Sequence, residues 1–89
     1  IPTRPCVRSI NNKKDVILAP YIVYMRNDEL FMRAVTIEHD SRPPREPKLG
    51  TFKLVGLGEV SATTRRFVQQ FHYDPGDAQY AGKTICSLI

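Results

Sequence analysis

The chain has 89 residues, of which 42% are hydrophobic and 25% charged, and its net charge is +4 at pH 7. This length and composition are typical of one small globular domain, with room for a single core and not for a large multi-substrate active site. The longest uncharged run, residues 16–25, is interrupted by Pro20. A membrane-spanning helix needs about 20 apolar residues, so the sequence predicts no transmembrane span and no membrane partner.

Positive charges are concentrated at two places in the sequence. The first 14 positions contain only basic and uncharged residues, and Arg65 and Arg66 form a second basic spot. This pattern favours polyanionic partners such as nucleic acid, although a solvated surface gives the same pattern. The charge distribution alone does not choose between the two interpretations.

Two cysteines, Cys6 and Cys86, lie near opposite ends of the sequence. Neither belongs to a C-x-x-C or Cys/His motif, so their spacing predicts no zinc site, and the sequence suggests no cofactor. A single disulfide between them is one alternative, because chain termini often lie close together. We expect two free thiols instead. Together with the lack of a visible secretory signal, this predicts a cytoplasmic protein.

The first element with a clear pattern is a β-hairpin. Residues 16–24 are rich in β-branched and aromatic side chains, which favours a strand, and Pro20 within them favours an edge or a bulge. Asn27 and Asp28 tolerate the left-handed backbone that a two-residue hairpin loop requires. The expected cross-strand pairs are Arg26 with Glu29, Met25 with Leu30, and Tyr24 with Phe31.

The rest of the chain predicts further strands and little helix. Residues 30–38 are mostly apolar on both faces, as expected of a strand that is covered on two sides or closed into a barrel. Residues 39–48 contain three prolines and predict a surface loop. A third strand is expected over 51–57 and a fourth over 59–67, where a frayed helical turn is the alternative. The sequence therefore predicts a mainly all-β fold of about five antiparallel strands with irregular termini, a small barrel or sandwich.

Catalytic chemistry has no recognisable signature in this sequence. The only histidines, His39 and His72, fall in predicted loops without a supporting motif for nucleophilic catalysis. The adjacent carboxylates Asp28 and Glu29 are explained by the hairpin turn, and no Lys-Ser/Thr follows the glycines at 50, 56 and 58 to complete a phosphate loop. We therefore expect a protein that is not an enzyme, with an unrecognised enzyme fragment as the weakest of three interpretations.

Aromatic and basic side chains are mixed on the predicted strands, and this mixture is the strongest indication of function. Aromatic rings stack on bases and cations hold phosphates, so such a sheet can bind single-stranded nucleic acid or a nucleotide. Core packing is the alternative for the aromatic residues. Arg33 fits a core less well, because a charge within an apolar strand needs solvent, a ligand or a carboxylate such as Glu38 or Glu59.

Three short segments, in this order, carry a resemblance to a known family. They are Pro20-Tyr21, Leu30-Phe31-Met32 and Thr51-Phe52-Lys53-Leu54. They resemble the Pro-His/Tyr step, the Trp-Tyr-Leu signature and the Thr-Phe-Arg-Leu segment of the WYL domain of bacterial transcriptional regulators. The resemblance covers roughly residues 16–67, and residues 71–77 are similar to the Asp/Pro-containing segment that often follows.

The resemblance implies an Sm-like or SH3-like β-barrel over residues 16–67, after a basic lead-in over 1–15 and before a C-terminal extension over 68–89. It implies a ligand-sensing regulatory domain of a bacterial transcriptional regulator, joined to an N-terminal DNA-binding domain in the full-length chain. The expected partners are a nucleic acid or nucleotide-type anionic ligand and a second copy in a homodimer.

The ligand face implied by the resemblance has a defined set of residues. They are Tyr21, Phe31, Arg33, Phe52 and Lys53. Gly50 and Gly56 stand where the family has arginines, so two positive charges associated with ligand binding are absent. This departure favours an alternative interpretation, in which the chain is a β-barrel used for dimerisation or protein contact without a small ligand.

Overall fold

The computed structural model describes residues 3–72, 74, 76–77, 80 and the backbone of 84–87. Its elements are β1 (Arg4–Asn11), β2 (Lys14–Arg26), β3 (Glu29–His39), β4 (Leu49–Lys53), a 3₁₀ turn (Leu54–Gly56), β5 (Leu57–Phe67) and β6 (Thr84–Ser87). The strands form one antiparallel sheet in the order β4-β3-β2-β1-β5, and β6 pairs with the second half of β2. The predicted all-β fold is confirmed. No ladder joins β4 to β5 among the described residues, so the sheet is open and not closed into a barrel.

The hairpin between β2 and β3 forms at the predicted turn. Asn27 and Asp28 have φ angles of 51° and 61°, the left-handed values that a two-residue loop of this kind requires. The three predicted cross-strand pairs beside the turn are all present in the register of the two strands. A turn that matches the right-handed twist of the strands therefore sets the register of the longest ladder in the sheet.

The N-terminal residues, predicted to be a basic lead-in, contain strand β1. β1 pairs with β2 on one side and β5 on the other, so it lies inside the sheet. A second tight turn joins β1 to β2, with φ angles of 51° at Asn12 and 63° at Lys13. Lysine is not a typical residue for this conformation, which is why the sequence did not indicate the hairpin.

The segment predicted as one strand over residues 51–57 is divided among three elements. β4 ends at Lys53, the 3₁₀ turn follows, and β5 begins at Leu57. The chain has to leave the β3 side of the sheet here and reach β1 on the other side. Leu54 and Leu57 pack into the same core cluster, so their apolar pattern does not mark the break between them. The fourth predicted strand is confirmed as part of β5.

Apolar residues cover both faces of the β2–β3 ladder, as the sequence predicted. One face, which we call the Met32 face, packs Met32 and Ala34 with Leu57 and other residues of β2, β4 and the 3₁₀ turn. On the opposite Val35 face, Val35 packs with Cys6 and Phe67, and side chains further along this face form a smaller cluster that includes Tyr80. Two apolar faces require two covering layers, and the chain beyond residue 67 contributes to the second.

Candidate functional site

Two neighbouring strands bring aromatic, basic and hydroxyl side chains together at the β4 edge of the sheet. In the antiparallel register Phe31 lies opposite Lys53, and Arg33 lies opposite Thr51. Directly paired residues project from the same face, with Cβ atoms about 5 Å apart. These four residues, which we call the β3–β4 patch, therefore form one continuous surface on the Val35 face.

Arg33 is the residue of the patch with the least complete set of partners. Its Nη1 donates a hydrogen bond to Thr51 Oγ1 at 2.9 Å, while its Nε is buried and has no hydrogen-bond partner. Within the described part of the chain, no carboxylate pairs with this guanidinium. Glu38, one of the two acids that the sequence offered, accepts a hydrogen bond from Arg65, and Glu59 lies on β5, which pairs with β1 and not with β3 or β4. Among the described residues, this half-buried cation is thus left without a compensating charge.

The other two sequence-predicted members of the patch are Lys53, which forms an exposed ion pair, and Phe31, which stacks on another ring. Lys53 Nζ lies 3.3 Å from Glu29 Oε2, and both side chains are more than half exposed. Ion pairs of this kind contribute little to stability, so the ammonium group can exchange Glu29 for another anion at small cost. Phe31 is half-buried and stacks on Tyr24, with ring centroids 5.8 Å apart. This contact fixes the ring beside Arg33.

Tyr21, also predicted for the ligand face, lies in the core instead of on the surface. It is the extra residue of a bulge in β2, as Pro20 indicated, and only 1% of its surface is exposed. Its ring stacks on Phe67 at a centroid distance of 5.8 Å. Its hydroxyl accepts hydrogen bonds from the backbone amides of Gln70 and Phe71. The chain that follows β5 therefore closes over this ring and makes it unable to stack on a base.

Phe52 lies away from the patch. It pairs with Met32, so it projects to the Met32 face, where it packs against the core cluster. The structure thus groups Phe31, Arg33 and Lys53 and separates Tyr21 and Phe52 from them. Thr51 was not predicted as a site residue, although the β3–β4 register places it opposite Arg33. Sequence reasoning had no register for this strand pair, because the long loop between the strands does not fix one.

The cysteine prediction is confirmed for one of the two residues. Cys6 is a free thiol on β1, fully buried on the Val35 face. Burial raises the pKa of this thiol, and the positive charge of Arg65 offsets part of the effect. The side chain of Cys86 lies outside the described residues.

The described residues contain no group of three or more His, Cys, Asp or Glu side chains placed to hold a metal ion. Among the same residues, no helix is long and apolar enough to cross a membrane. No family model, curated protein or solved structure matches the chain. Its function therefore has to be argued from the geometry of its own side chains.

Proposed function

We propose that this chain is a non-catalytic, ligand-sensing domain that binds a phosphate-bearing ligand, single-stranded nucleic acid or a nucleotide, on the β3–β4 patch. The observation that carries the proposal is the guanidinium of Arg33, which is half-buried, lacks a carboxylate among the described residues and has an unsatisfied Nε. Leaving a buried donor unsatisfied costs about 1–3 kcal/mol, more for a charged group. A bound anion removes that cost.

The surroundings of Arg33 fit a phosphate better than an uncharged ligand. A guanidinium donates to phosphate oxygens in charge-assisted hydrogen bonds, which are about twice as strong as neutral ones. Lys53 adds a second cation opposite Phe31, and the Thr51 hydroxyl beside Arg33 adds a hydrogen-bonding group. An aromatic side chain next to cations offers a base a stacking surface, which is worth about 1–3 kcal/mol per base. The patch thus contains one group for the base and three for the phosphate.

A regulatory role in a bacterial cytoplasm is part of this proposal. The resemblance to WYL domains supports it, because the patch includes the middle residue of the Leu30-Phe31-Met32 segment that resembles the family signature. The free Cys6 thiol supports a reducing compartment. In this proposal a DNA-binding domain precedes the chain in the full-length protein, and ligand binding at the patch regulates it.

Fluorescence anisotropy with a short labelled single-stranded oligonucleotide tests the proposal. We expect binding that weakens with salt, and we expect Arg33→Ala to weaken it while leaving thermal unfolding nearly unchanged. Each lost phosphate contact lowers the slope of log K against log salt by about 0.7. Arg45→Ala removes the same charge from an exposed loop and is the matched control. If the unmodified chain binds neither oligonucleotides nor nucleotides at low salt, the proposal is wrong.

A second candidate function, protein contact or homodimerisation, has one specific observation in its favour. Met25, Leu30 and Val55 are exposed apolar side chains, and Val55 is 89% exposed. Met25 pairs with Leu30 next to the β2–β3 turn, and Leu30 and Val55 line the same depression. Sedimentation equilibrium of the unmodified chain and of Val55→Asp tests this function. A dimer that the substitution dissociates supports it, and a monomer at all concentrations excludes homodimerisation.

A further inference from the structure

The paired residues of β3 and β4 divide the Val35 face into rows that run across the strands. Phe31 and Lys53 belong to one row, and Arg33 and Thr51 belong to the next. Side chains on one face of a strand are two residues apart, so neighbouring rows are separated by about 7 Å. This separation is similar to that between adjacent phosphates of an extended single strand. A nucleic acid that runs along the strands would therefore place successive phosphates in successive rows.

The row beyond Lys53 contains a carboxylate. Glu29 lies two residues before Phe31 on the same face of β3 and pairs with Arg26 of β2. Its Oε2 lies 3.3 Å from Lys53 Nζ, and the turn residue next to it, Asp28, is a second acid. One arginine against two acids gives this end of the hairpin a net charge of −1. A phosphate placed in this row would be repelled by the Glu29 carboxylate.

The row on the other side of Arg33 offers an anion no partner. Val35 pairs with Leu49, and both side chains pack into the core of the Val35 face. Neither of them can donate a hydrogen bond to a phosphate oxygen. A phosphate in this row would lose part of its hydration without compensation, which is costly for a charged group. Along the strands, the positive charge of the patch is therefore limited to two rows.

A nucleic acid that crosses the sheet also gains no further contact from the described residues. On the β2 side the patch ends at Tyr24, which is 1% exposed and has Tyr80 packed against it at a ring-centroid distance of 4.8 Å. On the other side, β4 is the last strand of the sheet in the described part of the chain. In either direction, the patch contacts one phosphate and one base.

The two cations of the patch match a terminal phosphate better than an internal one. A phosphomonoester has a charge of about −1.5 to −2 at pH 7, whereas each internal phosphodiester of a strand has a single negative charge. Arg33 and Lys53 are diagonal neighbours on paired strands. Their Cβ atoms are therefore about 7–8 Å apart, which allows one phosphate to lie between the two long side chains. The more highly charged phosphate also competes better with Glu29 for Lys53.

From this arrangement we infer that the β3–β4 patch selects a mononucleotide, a nucleoside with one phosphomonoester, over the interior of a nucleic-acid strand. The phosphate lies between Arg33 and Lys53, and the base stacks on Phe31. Glu29 is the specificity-determining residue, because it repels the phosphate of a neighbouring nucleotide. The inference rests on the proposed function and narrows its ligand to a single nucleotide.

Isothermal titration calorimetry of the unmodified chain with three deoxyadenosine ligands tests the inference. They are dAMP, a deoxyadenosine hexanucleotide with a 5′-phosphate, and the same hexanucleotide with a 5′-hydroxyl. We expect the phosphorylated hexanucleotide to bind no more tightly than dAMP. The 5′-hydroxyl hexanucleotide should bind about tenfold more weakly, since it lacks the phosphomonoester that forms the strongest charge-assisted hydrogen bonds. Arg33→Ala should weaken the binding of dAMP, which places the ligand on the patch.

Glu29→Gln separates the repulsion from the general affinity of the patch. The substitution frees Lys53 for every ligand, but it removes a repelling charge only from ligands with a second phosphate. The affinity for the 5′-hydroxyl hexanucleotide should therefore rise about threefold to fivefold more than the affinity for dAMP, as expected of exposed charges. Glu46→Gln removes the same charge from an exposed loop and should leave all three affinities unchanged. Both glutamates are exposed, so we expect both variants to fold.

The outcomes distinguish failure of the inference from failure of the proposed function. An affinity that rises with strand length, or one that does not depend on the 5′-phosphate, would overturn the inference and leave the proposed function intact. An equal gain for all three ligands in Glu29→Gln would also overturn it, because Glu29 would then not discriminate between them. If none of the three ligands binds at low salt, the inference and the proposed function are both wrong.

Discussion

The two ends of the Val35 face contain the same kinds of side chain, aromatic and basic, but differ in how far these side chains are exposed to solvent. At one end, Tyr21 and Arg65 line one concavity, but Phe67 and the backbone of residues 70–71 cover the tyrosine. At the other end, Phe31 and Arg33 remain half-exposed at the edge of the sheet. The sequence analysis predicted residues of the ligand face at both ends, Tyr21 at one and Phe31 and Arg33 at the other. The comparison shows that the segment returning over a strand, and not the composition of the strand, decides which aromatic residue becomes core.

The two ends also differ in how completely their polar groups are satisfied. The Tyr21 hydroxyl accepts two backbone hydrogen bonds, so this end gains stability from its polar atoms as well as from its apolar surface. At the other end the buried Nε of Arg33 has no hydrogen-bond partner in the part of the chain that the structure describes. Buried polar groups are nearly always satisfied in folded proteins, so an exception needs an explanation. A bound anion supplies one, and the predictions below test each end of this contrast.

The largest expected effect is on the rate at which Cys6, at the Tyr21 end, is alkylated. Its surface exposure is 0%, and burial raises the pKa of its thiol, so the reactive thiolate is both inaccessible and rare. Alkylation of Cys6 should be slower in the folded chain than in denaturant by roughly a thousandfold or more, since it requires opening of the fold. Mass spectrometry of peptides after timed alkylation measures this ratio. Equal rates in the two states would show that the Tyr21 end is open.

The next largest expected effect is the loss of stability when the buried Tyr21 side chain is truncated. Tyr21→Ala is expected to lower the free energy of unfolding by about 3–5 kcal/mol, because it leaves a cavity in a packed cluster. Tyr21→Phe keeps the ring and should cost only about 1–2 kcal/mol, the loss of its hydrogen bonds to residues 70 and 71. Urea denaturation measures both values. A loss below about 1 kcal/mol for Tyr21→Ala would contradict a core position.

The smallest expected effect is on the pH dependence of stability. It concerns Arg8, which has a carboxylate partner, in contrast to Arg33. Arg8 donates two hydrogen bonds of 2.8 Å to the carboxylate of Asp15, across the β1–β2 hairpin. These bonds, with the charge of Arg8, hold the pKa of Asp15 below its ordinary value. A lowered folded pKa contributes stability above the unfolded pKa of about 3.9, and this contribution is lost as the pH falls through the folded pKa.

Thermal melts of Asp15→Asn at several pH values measure this contribution. The variant should be slightly less stable than the unmodified chain at neutral pH, with a difference that is small because both side chains reach solvent. Below the folded pKa of Asp15 the two melting temperatures should converge. A difference that stays constant over the whole pH range would mean that the ion pair does not contribute.

The sequence predicted local structure well where one short segment contained all the necessary information. The turn at Asn27 and Asp28 and the pairs beside it depend only on left-handed backbone preferences and on neighbouring residues. The bulge next to Pro20 is similar, because proline removes one donor from the ladder. The β1 strand was missed, since its partner β5 lies far away in the sequence and its turn contains a lysine.

Three of the five residues proposed for the ligand face lie together, and the separation of the other two has a common cause. Arg33, Phe31 and Lys53 lie together because they alternate correctly on two paired strands. Phe52 is adjacent to Lys53 in sequence and therefore projects to the opposite face. Tyr21 is covered by the segment after β5, which has no periodicity that would indicate where it packs. Long-range covering contacts of this kind are not encoded in the pattern of a single strand.

The central claim, that Arg33 is kept for a ligand and not for the fold, is tested most directly by the stability of Arg33→Met without any ligand. Methionine has a similar length and removes both the charge and the unsatisfied Nε, while water can replace the lost partner of the exposed Thr51 hydroxyl. Urea denaturation should give a free energy of unfolding equal to that of the unmodified chain, or higher by about 1–2 kcal/mol. A loss of about 3 kcal/mol or more would show that Arg33 belongs to a structural charge pair and would contradict the account.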